Sequence, residues 1–204
     1  NIFRTNLKDK IQFSPADDEV KKFGYSYQWE NVDDAYVQGV ELGAKANLFR
    51  NFNAGINWTF NQGKFKHERA DWSDPNDETV KEFPQRLQYA KDSRNISRFP
   101  AMTGDIDLDY TPGTWTFSLT SSLQGRMYID YNSEDNGATS KIKKTNTFMI
   151  FNCRAAKRFG TCTVYAGAKN IFSYIQDEKH TDDAAFMYAP VYGATWYVGL
   201  SVKL

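Results

Sequence analysis

Apolar and polar residues alternate with a period of two along much of this chain. The cleanest run extends from Thr114 to Tyr131, and its apolar positions are Trp115, Phe117, Leu119, Leu123, Met127, Ile129 and Tyr131. The positions between them carry mainly hydroxyl, amide and charged side chains. An α-helix has a period of about 3.6 residues and would mix the two sets, so the run predicts a strand with one apolar face. At about 3.3 Å per residue it is long enough to cross a bilayer, which takes roughly 9–11 tilted residues.

The same alternation predicts seven further strands, about eight in all, and bacterial membrane barrels have even strand numbers. They are Phe3 to Phe13, Tyr36 to Leu48, Phe52 to Phe60, Met102 to Tyr110, Phe151 to Phe159, Cys162 to Phe172 and Trp196 to Leu204. No helix of ordinary length is expected, because Pro84 interrupts the one candidate, Asp77 to Tyr89. The chain is therefore predicted to be all-β and antiparallel.

The predicted connections alternate between short and long. The short ones are Arg50-Asn51, Thr111-Pro112-Gly113 and Gly160-Thr161, and the long polar ones run from Ser14 to Gly24, His67 to Ser97, Asn132 to Asn146 and Ser173 to Gly193. Outer-membrane barrels place short turns on the periplasmic rim and long loops on the extracellular rim. The sorting of loop lengths therefore favours a transmembrane β-barrel.

A soluble sheet or lipocalin-like barrel also alternates, but it buries its apolar face inside. The polar face here carries charged residues that would fit a lumen better than a surface exposed to lipid, namely Asp105, Asp107, Asp109, Arg126, Arg154 and Arg158. The aromatic content of 16% agrees with interfacial girdles. We expect the apolar face to point outward, towards lipid.

Composition excludes several other classes of protein. Lys plus Arg and Asp plus Glu both number 25, so no basic field indicates nucleic acid as a partner. No apolar stretch approaches the length of a transmembrane helix, and the mean hydropathy is −0.64. Cys153 and Cys162 lie on strands joined at Gly160 and several residues out of register, so we expect small apolar residues and not a disulfide.

Signatures of catalysis are missing from the sequence. His67 and His180 lie in separate predicted loops, and no hydrolase, zinc-protease or phosphate-loop motif occurs. Asp105, Asp107 and Asp109 share one face and could be catalytic carboxylates or a calcium ladder, but a lumen wall or a contact with a plug domain is the simpler interpretation. We predict no enzyme activity, no cofactor and no metal site.

We expect ligand contacts in the long loops, where binding residues concentrate. The segment His180-Thr181-Asp182-Asp183 offers imidazole and oxygen donors that could touch a metal complex, although loops on a barrel are polar in any case. The candidate residues are His67, Trp72, Tyr89, His180, Asp183, Tyr188 and Tyr192.

Five segments resemble TonB-dependent receptors of the Gram-negative outer membrane, in the family's order. Lys169-Asn170-Ile171-Phe172 looks like the "KNLF" segment before the last hairpin, and the ending with Tyr197, Gly199, Val202 and Leu204 resembles the barrel-assembly signal, except that the last residue is usually aromatic. Tyr36 to Glu41 is similar to the "GvE" strand, Leu7 to Ile11 to the strand before it, and Arg98-Phe99-Pro100 to the start of a later strand. Ala189 to Gly193 looks more like the iron-complex and haem branches than the glycan branch.

The resemblance implies that residues 1–204 are the C-terminal segment of a barrel of about 22 strands, without a plug domain. It implies energised uptake of a siderophore, haem or cobalamin across the cell outer membrane, with outer-membrane lipid, the plug domain, the TonB complex and the barrel-assembly machinery as partners. Alternation begins at the first residues, so we expect further chain upstream of Asn1. The alternative is a complete eight-stranded barrel acting as an anchor or adhesin, although small lumenal residues such as Gly43, Gly55 and Ser118 would fill it poorly.

Overall fold

A computed structural model describes residues 1–16, 18–131, 141–175 and 192–203. Its strands are β1 (Ile2–Pro15), β2 (Tyr27–Phe49), β3 (Phe52–Phe65), β4 (Met102–Tyr110), β5 (Trp115–Gln124), β6 (Tyr128–Tyr131), β7 (Lys141–Lys144), β8 (Phe148–Phe159), β9 (Cys162–Lys169) and β10 (Thr195–Val202). The helices are short: α1 (Asp18–Lys21), α2 (Ala70–Ser73) and α3 (Glu78–Glu82), with 3-10 turns at Pro84–Tyr89 and Asp92–Arg94. In the part of the chain that the structure describes, no helix is both long and apolar enough to span a bilayer.

Eight strands form one antiparallel sheet in the order β1-β2-β3-β4-β5-β8-β9-β10. The predicted all-β antiparallel fold and its eight principal strands are confirmed. Within the described residues β1 and β10 lie at opposite edges and are not paired with each other, so this sheet is open. A second, two-stranded sheet consists of β6 and β7.

The short turns adopt the backbone that tight hairpins require. Asn51, Gly113 and Gly160 have φ values of 67°, 62° and 59°, and each lies in a predicted short connection. Asparagine and glycine tolerate this left-handed region best. All three turns lie at the same end of the sheet because the strands that lead into them, β2, β4 and β8, run in the same direction; the strand ends that flank the long connections lie at the other end.

Several strand boundaries differ from the prediction; β3, for example, continues to Phe65, five residues past its predicted end. The run from Thr114 to Tyr131 is not one strand: β5 ends at Gln124, and Gly125 donates to the Met102 carbonyl at 2.7 Å. A Cβ on Gly125 would lie 2.9 Å from the Cβ of Met102, so the chain comes too close there for a larger residue. β9 ends at Lys169 and not at Phe172, because Asn170 takes a φ of 51°. β2 begins at Tyr27, nine residues before the predicted start.

Among the described residues, the buried apolar side chains larger than alanine lie at the loop end of the sheet. They are Phe65 (3% exposed), Trp72 (1%), Val80 (2%), Met127 (4%), Ile129 (1%) and Ile142 (9%). Met127 and Ile129 therefore belong to this cluster, although the alternation had placed them on the apolar face of a single strand. The Asp77 to Tyr89 segment is helical in two pieces, and Pro84 separates them as predicted.

Candidate functional site

The apolar face of the sheet is exposed over its whole width. Large side chains on it include Leu42 (57% exposed), Ile56 (41%), Phe60 (48%), Val164 (43%), Val198 (78%) and Leu200 (62%). The strand pairings place them on the same face of two pairs of neighbouring strands, β2 with β3 and β9 with β10. Single exposed apolar residues are ordinary in soluble proteins, but a continuous patch of this kind marks a surface that is covered in use.

An aromatic belt lies where this face meets the short turns, and consists of Phe49, Phe52, Tyr110, Trp115 and Phe117. The rings of Phe49 and Phe52 stack at 4.7 Å, and those of Trp115 and Phe117 stack at 5.6 Å. Tyr110 joins the two pairs, at 6.3 Å from Phe52 and 6.4 Å from Phe117. Belts of this kind sit at the interface between membrane and water.

The apolar band ends towards the loops at Val40 and Phe60, after which Arg4, Gln38 and Gln62 follow on the same face. Arg4 Nη1 donates to Gln38 Oε1 at 3.2 Å, and Gln38 Nε2 donates to Gln62 Oε1 at 2.9 Å. Ten residues of β2, from position 40 to 49, span the band. With a rise of about 3.3 Å and a tilt of roughly 45°, the band is about 23 Å tall, close to the roughly 25 Å of outer-membrane barrels.

The opposite face is polar and carries small residues. Gly43, Asn57, Asp105 and Ser122 align in one row across four strands, and Asp109 accepts a hydrogen bond from Ser118 Oγ at 2.6 Å in another. Among the described residues, no group of three or more potential ligands is placed to hold a metal ion. The rows run across the sheet as a polar wall.

The loop between β3 and β4, residues 66–101, is folded around a buried arginine. Arg86 is 6% exposed, and its Nη1 donates to Asp71 O at 3.0 Å and to Asp71 Oδ2 at 3.1 Å. Its guanidinium lies 4.4 Å from the centre of the Trp72 ring. Arg69 holds the same carboxylate in a fork, with Nε 3.0 Å from Oδ1 and Nη2 2.8 Å from Oδ2. Charge-assisted bonds of this geometry fix the shape of the loop.

Asp33 fastens the start of this loop to β2. One carboxylate oxygen accepts the His67 backbone N–H at 2.7 Å, and the other lies 3.1 Å from His67 Nδ1. Partial burial raises the pKa of Asp33, but the hydrogen bonds from His67 and from the Asp34 backbone lower it by more, so the pKa lies below its ordinary value of 3.8. Asp33 lies beyond the apolar band, on the side of the loops.

Asn170 organises the loop between β9 and β10. Its side chain is buried, and Nδ2 donates to the backbone oxygens of Tyr174 at 2.7 Å and Tyr192 at 3.1 Å, while Oδ1 accepts the Tyr174 N–H at 2.9 Å. Its own N–H donates to Asn152 Oδ1 at 3.0 Å. One side chain thus holds both described ends of this loop together.

The predicted ligand contacts have different surroundings. His67 is exposed at the loop base, and Tyr192 is 80% exposed. Trp72 is buried in the loop interior, where its ring meets Tyr89 edge to face at 6.1 Å. His180, Asp183 and Tyr188 lie outside the described residues.

Of the predicted assembly residues, Tyr197, Gly199 and Val202 lie in β10, and Leu204 lies outside the described residues. Gly199 faces the ring of Tyr165 on β9, and Gly167 on β9 faces the ring of Tyr197. The rings cover the two glycines reciprocally, an arrangement that stabilises strands containing glycine.

Sequence reasoning missed Asp71, Arg86 and Asn152 as organising residues. Arg86 and Asp71 are 15 residues apart, and no local pattern links them. Asn170 was noticed only as part of a motif; its left-handed backbone is a conformation that asparagine tolerates.

Comparison with known proteins gives the same architecture. The family described as "TonB dependent receptor-like, beta-barrel" matches residues 1–171. Among solved structures, the chain is similar to "Copper transporter OprC", with 21% identity and a TM-score of 0.63 over 98% of this chain and 26% of that one.

Two further structures show the same fold. One is the ferric enterobactin receptor from Pseudomonas aeruginosa in complex with enterobactin, with 19% identity and a TM-score of 0.61. The match covers 98% of this chain and 28% of that one. The other is the FrpB iron transporter from Neisseria meningitidis, with 13% identity and a TM-score of 0.60. This match also covers 98% of this chain and 28% of the other. The chain therefore spans under a third of the length of these proteins.

Proposed function

The chain belongs to the TonB-dependent receptor family, through its β-barrel domain, and from this premise we propose that it forms the C-terminal part of a receptor barrel that takes up a scarce nutrient. Members of the family are outer-membrane proteins, and we propose the same location for this chain. The proposed partners are outer-membrane lipid, a plug domain, the TonB complex and, during insertion, the barrel-assembly machinery.

The observation that carries the proposal is the contrast between the two faces of the sheet. The apolar face with its aromatic belt matches a hydrocarbon layer in height and polarity, while the other face is polar and lined with small residues. The small residues leave room for a plug domain against the polar wall. Within the described residues, the outer edges of β1 and β10 pair with no other strand, so they are available to further strands of the same barrel.

The substrate that we propose is an iron complex, either a siderophore or haem, with cobalamin as a further member of the same class of scarce nutrients. The likeness to the structures of a ferric enterobactin receptor and an iron transporter supports this choice, although one similar structure is a copper transporter. The exposed His67 and Tyr192 are the described residues that we propose as contacts, because imidazole and the tyrosine oxygen are both ligands that iron accepts in proteins. Trp72 and Tyr89 would shape the loop from within.

An uptake assay on the full-length protein that carries this chain tests the proposal. Cells that lack other receptors would express it with and without a functional TonB, and accumulation of radiolabelled iron supplied as siderophores or haem, or of radiolabelled cobalamin, would be measured. We expect accumulation of one of these that stops when TonB is absent. His67→Ala and Tyr192→Ala should raise the half-saturating concentration, whereas Gln88→Ala in the same β3–β4 loop as His67 should not. TonB-independent accumulation of every candidate would contradict the proposed function.

A further inference from the structure

A lysine lies on the apolar face among the aromatic rings. Lys157 on β8 is aligned with Trp115 on β5 and with Val164 on β9. Its Nζ is 4.8 Å from the centre of the Trp115 ring and 5.0 Å from that of Phe159. Trp115 and Phe159 are 40% and 55% exposed, so the ammonium group lies at an open apolar surface.

No carboxylate neutralises this lysine in the described part of the chain. The ion pairs found there involve other residues, namely Lys21, His67, Arg69 and Arg86. Since β8 is paired on both sides, strands added at the edges of the sheet would not bring a new neighbour to Lys157. The aromatic faces attract the cation but do not supply a counter-charge.

The depth of Lys157 indicates which anion could supply that charge. Lys157 lies three residues before Gly160, which is part of the short turn between β8 and β9. This position is level with the aromatic belt. Aromatic belts mark the layer of the lipid headgroups, and a lysine stem can follow an apolar surface while its ammonium reaches that layer. The anion present in that layer is the phosphate of the headgroup.

We propose that Lys157, between Trp115 and Phe159, binds the phosphate of a phospholipid headgroup in the leaflet next to the short turns. This site rests on the proposed function, because it requires the apolar face to be in a bilayer. The ammonium donates charge-assisted hydrogen bonds to the phosphate oxygens, and the two rings pack along the glycerol and the first acyl methylenes.

Lipid binding to the full-length protein tests the site. The protein would be delipidated in a neutral detergent and titrated with phosphatidylglycerol in mixed micelles, and bound lipid would be counted by native mass spectrometry. Lys157→Met keeps the length of the side chain and removes the charge, and Lys157→Arg keeps the charge. Lys45→Met, on the polar face of β2, is the matched control.

We expect Lys157→Met to weaken binding of the tightest phosphatidylglycerol about fivefold, a change that corresponds to about 1 kcal/mol for one basic residue at an anionic membrane surface. Lys157→Arg and Lys45→Met should bind like the wild type, and inorganic phosphate alone should not compete. Equal lipid binding by wild type and Lys157→Met would overturn the site while leaving the receptor function intact. Recovery of the native protein outside the outer-membrane fraction would overturn both the lipid site and the proposed receptor function.

Discussion

The side-chain amide of Asn170 donates a hydrogen bond to the backbone oxygen of Tyr192, 3.1 Å away and 22 positions along the chain. The same side chain makes two bonds to the backbone of Tyr174, so it fixes both described ends of the loop that precedes β10. Asn170 belongs to the segment that resembles a family motif. The hydrogen bonds of Asn170 therefore have a structural role: they hold the end of the last loop, at Tyr192, close to its beginning, at Tyr174.

Asn170→Ala should release both ends of this loop. Three side-chain hydrogen bonds are lost, each worth roughly 0.5–1.5 kcal/mol, and alanine is strained at the φ of 51°. We expect the free energy of local opening to fall by about 2–4 kcal/mol, measured by hydrogen exchange at the amides of residues 174 and 194. Asn170→Gly accepts the backbone angle without the bonds and should lie between alanine and the wild type. Unchanged exchange in both variants would show that the contacts do not hold the loop.

The alternation of residues was enough to predict the eight principal strands and the short turns, because a strand with one apolar face leaves a local period of two. It failed at Gly125, where a close approach to Met102 ends the strand, since a contact between residues 23 positions apart leaves no local trace. Trp72 was proposed as a ligand contact because it lies in a long predicted loop, but its ring is buried beneath the guanidinium of Arg86. The organisation of the loop depends on such long-range pairs, which period and composition do not encode.

Asp71→Asn should loosen the β3–β4 loop more than a surface mutation does. The change removes the charge that two arginines share, and it leaves the largely buried guanidinium of Arg86 without its nearest carboxylate. Breaking a buried ion pair from one side costs roughly 3–5 kcal/mol, and we expect the lower part of that range because Asp71 is partly exposed. Limited proteolysis of the full-length protein should show cleavage within residues 66–101. Asp74→Asn, on an exposed residue of the same loop, is the control and should be cleaved like the wild type.

The contact between Asp33 and His67 predicts a dependence on pH. A carboxyl group whose pKa is lowered by folding stabilises the fold above its ordinary pKa, and the stabilisation disappears as the pH falls through the lowered value. Hydrogen exchange at the His67 amide should therefore stay slow from pH 8 down to about pH 5 and speed up, relative to the intrinsic rate, only below about pH 4. Asp33→Asn should be fast throughout, without this transition. His67→Ala keeps the backbone N–H and should preserve the transition below about pH 4. A transition centred near pH 6 would indicate titration of histidine and contradict the assignment of the pH dependence to Asp33.

Leu119→Arg tests which face meets lipid. Leu119 lies on the apolar face of β5, aligned with Leu108 on β4 and Cys153 on β8, while Ser118 lies on the polar face. An arginine on the lipid-facing side near the middle of the bilayer costs roughly 2–4 kcal/mol, whereas the polar face can solvate it. Refolding of the full-length barrel into vesicles, followed by urea titration, should show this loss for Leu119→Arg and a smaller one for Ser118→Arg. Equal losses would reject the assigned orientation.

Gly199 has two possible roles that a double variant can separate. It lies in the segment that resembles the barrel-assembly signal, and the ring of Tyr165 covers it, so that an added Cβ would lie 2.6 Å from Tyr165 Cε2. If position 199 requires glycine because the Tyr165 ring packs over it, Gly199→Ala should displace that ring and lower the amount of heat-resistant barrel in the outer membrane. Tyr165→Ala combined with Gly199→Ala should then recover most of that loss, because the ring that clashes is gone. If assembly factors read the glycine itself, the double variant should remain as poorly assembled as Gly199→Ala alone.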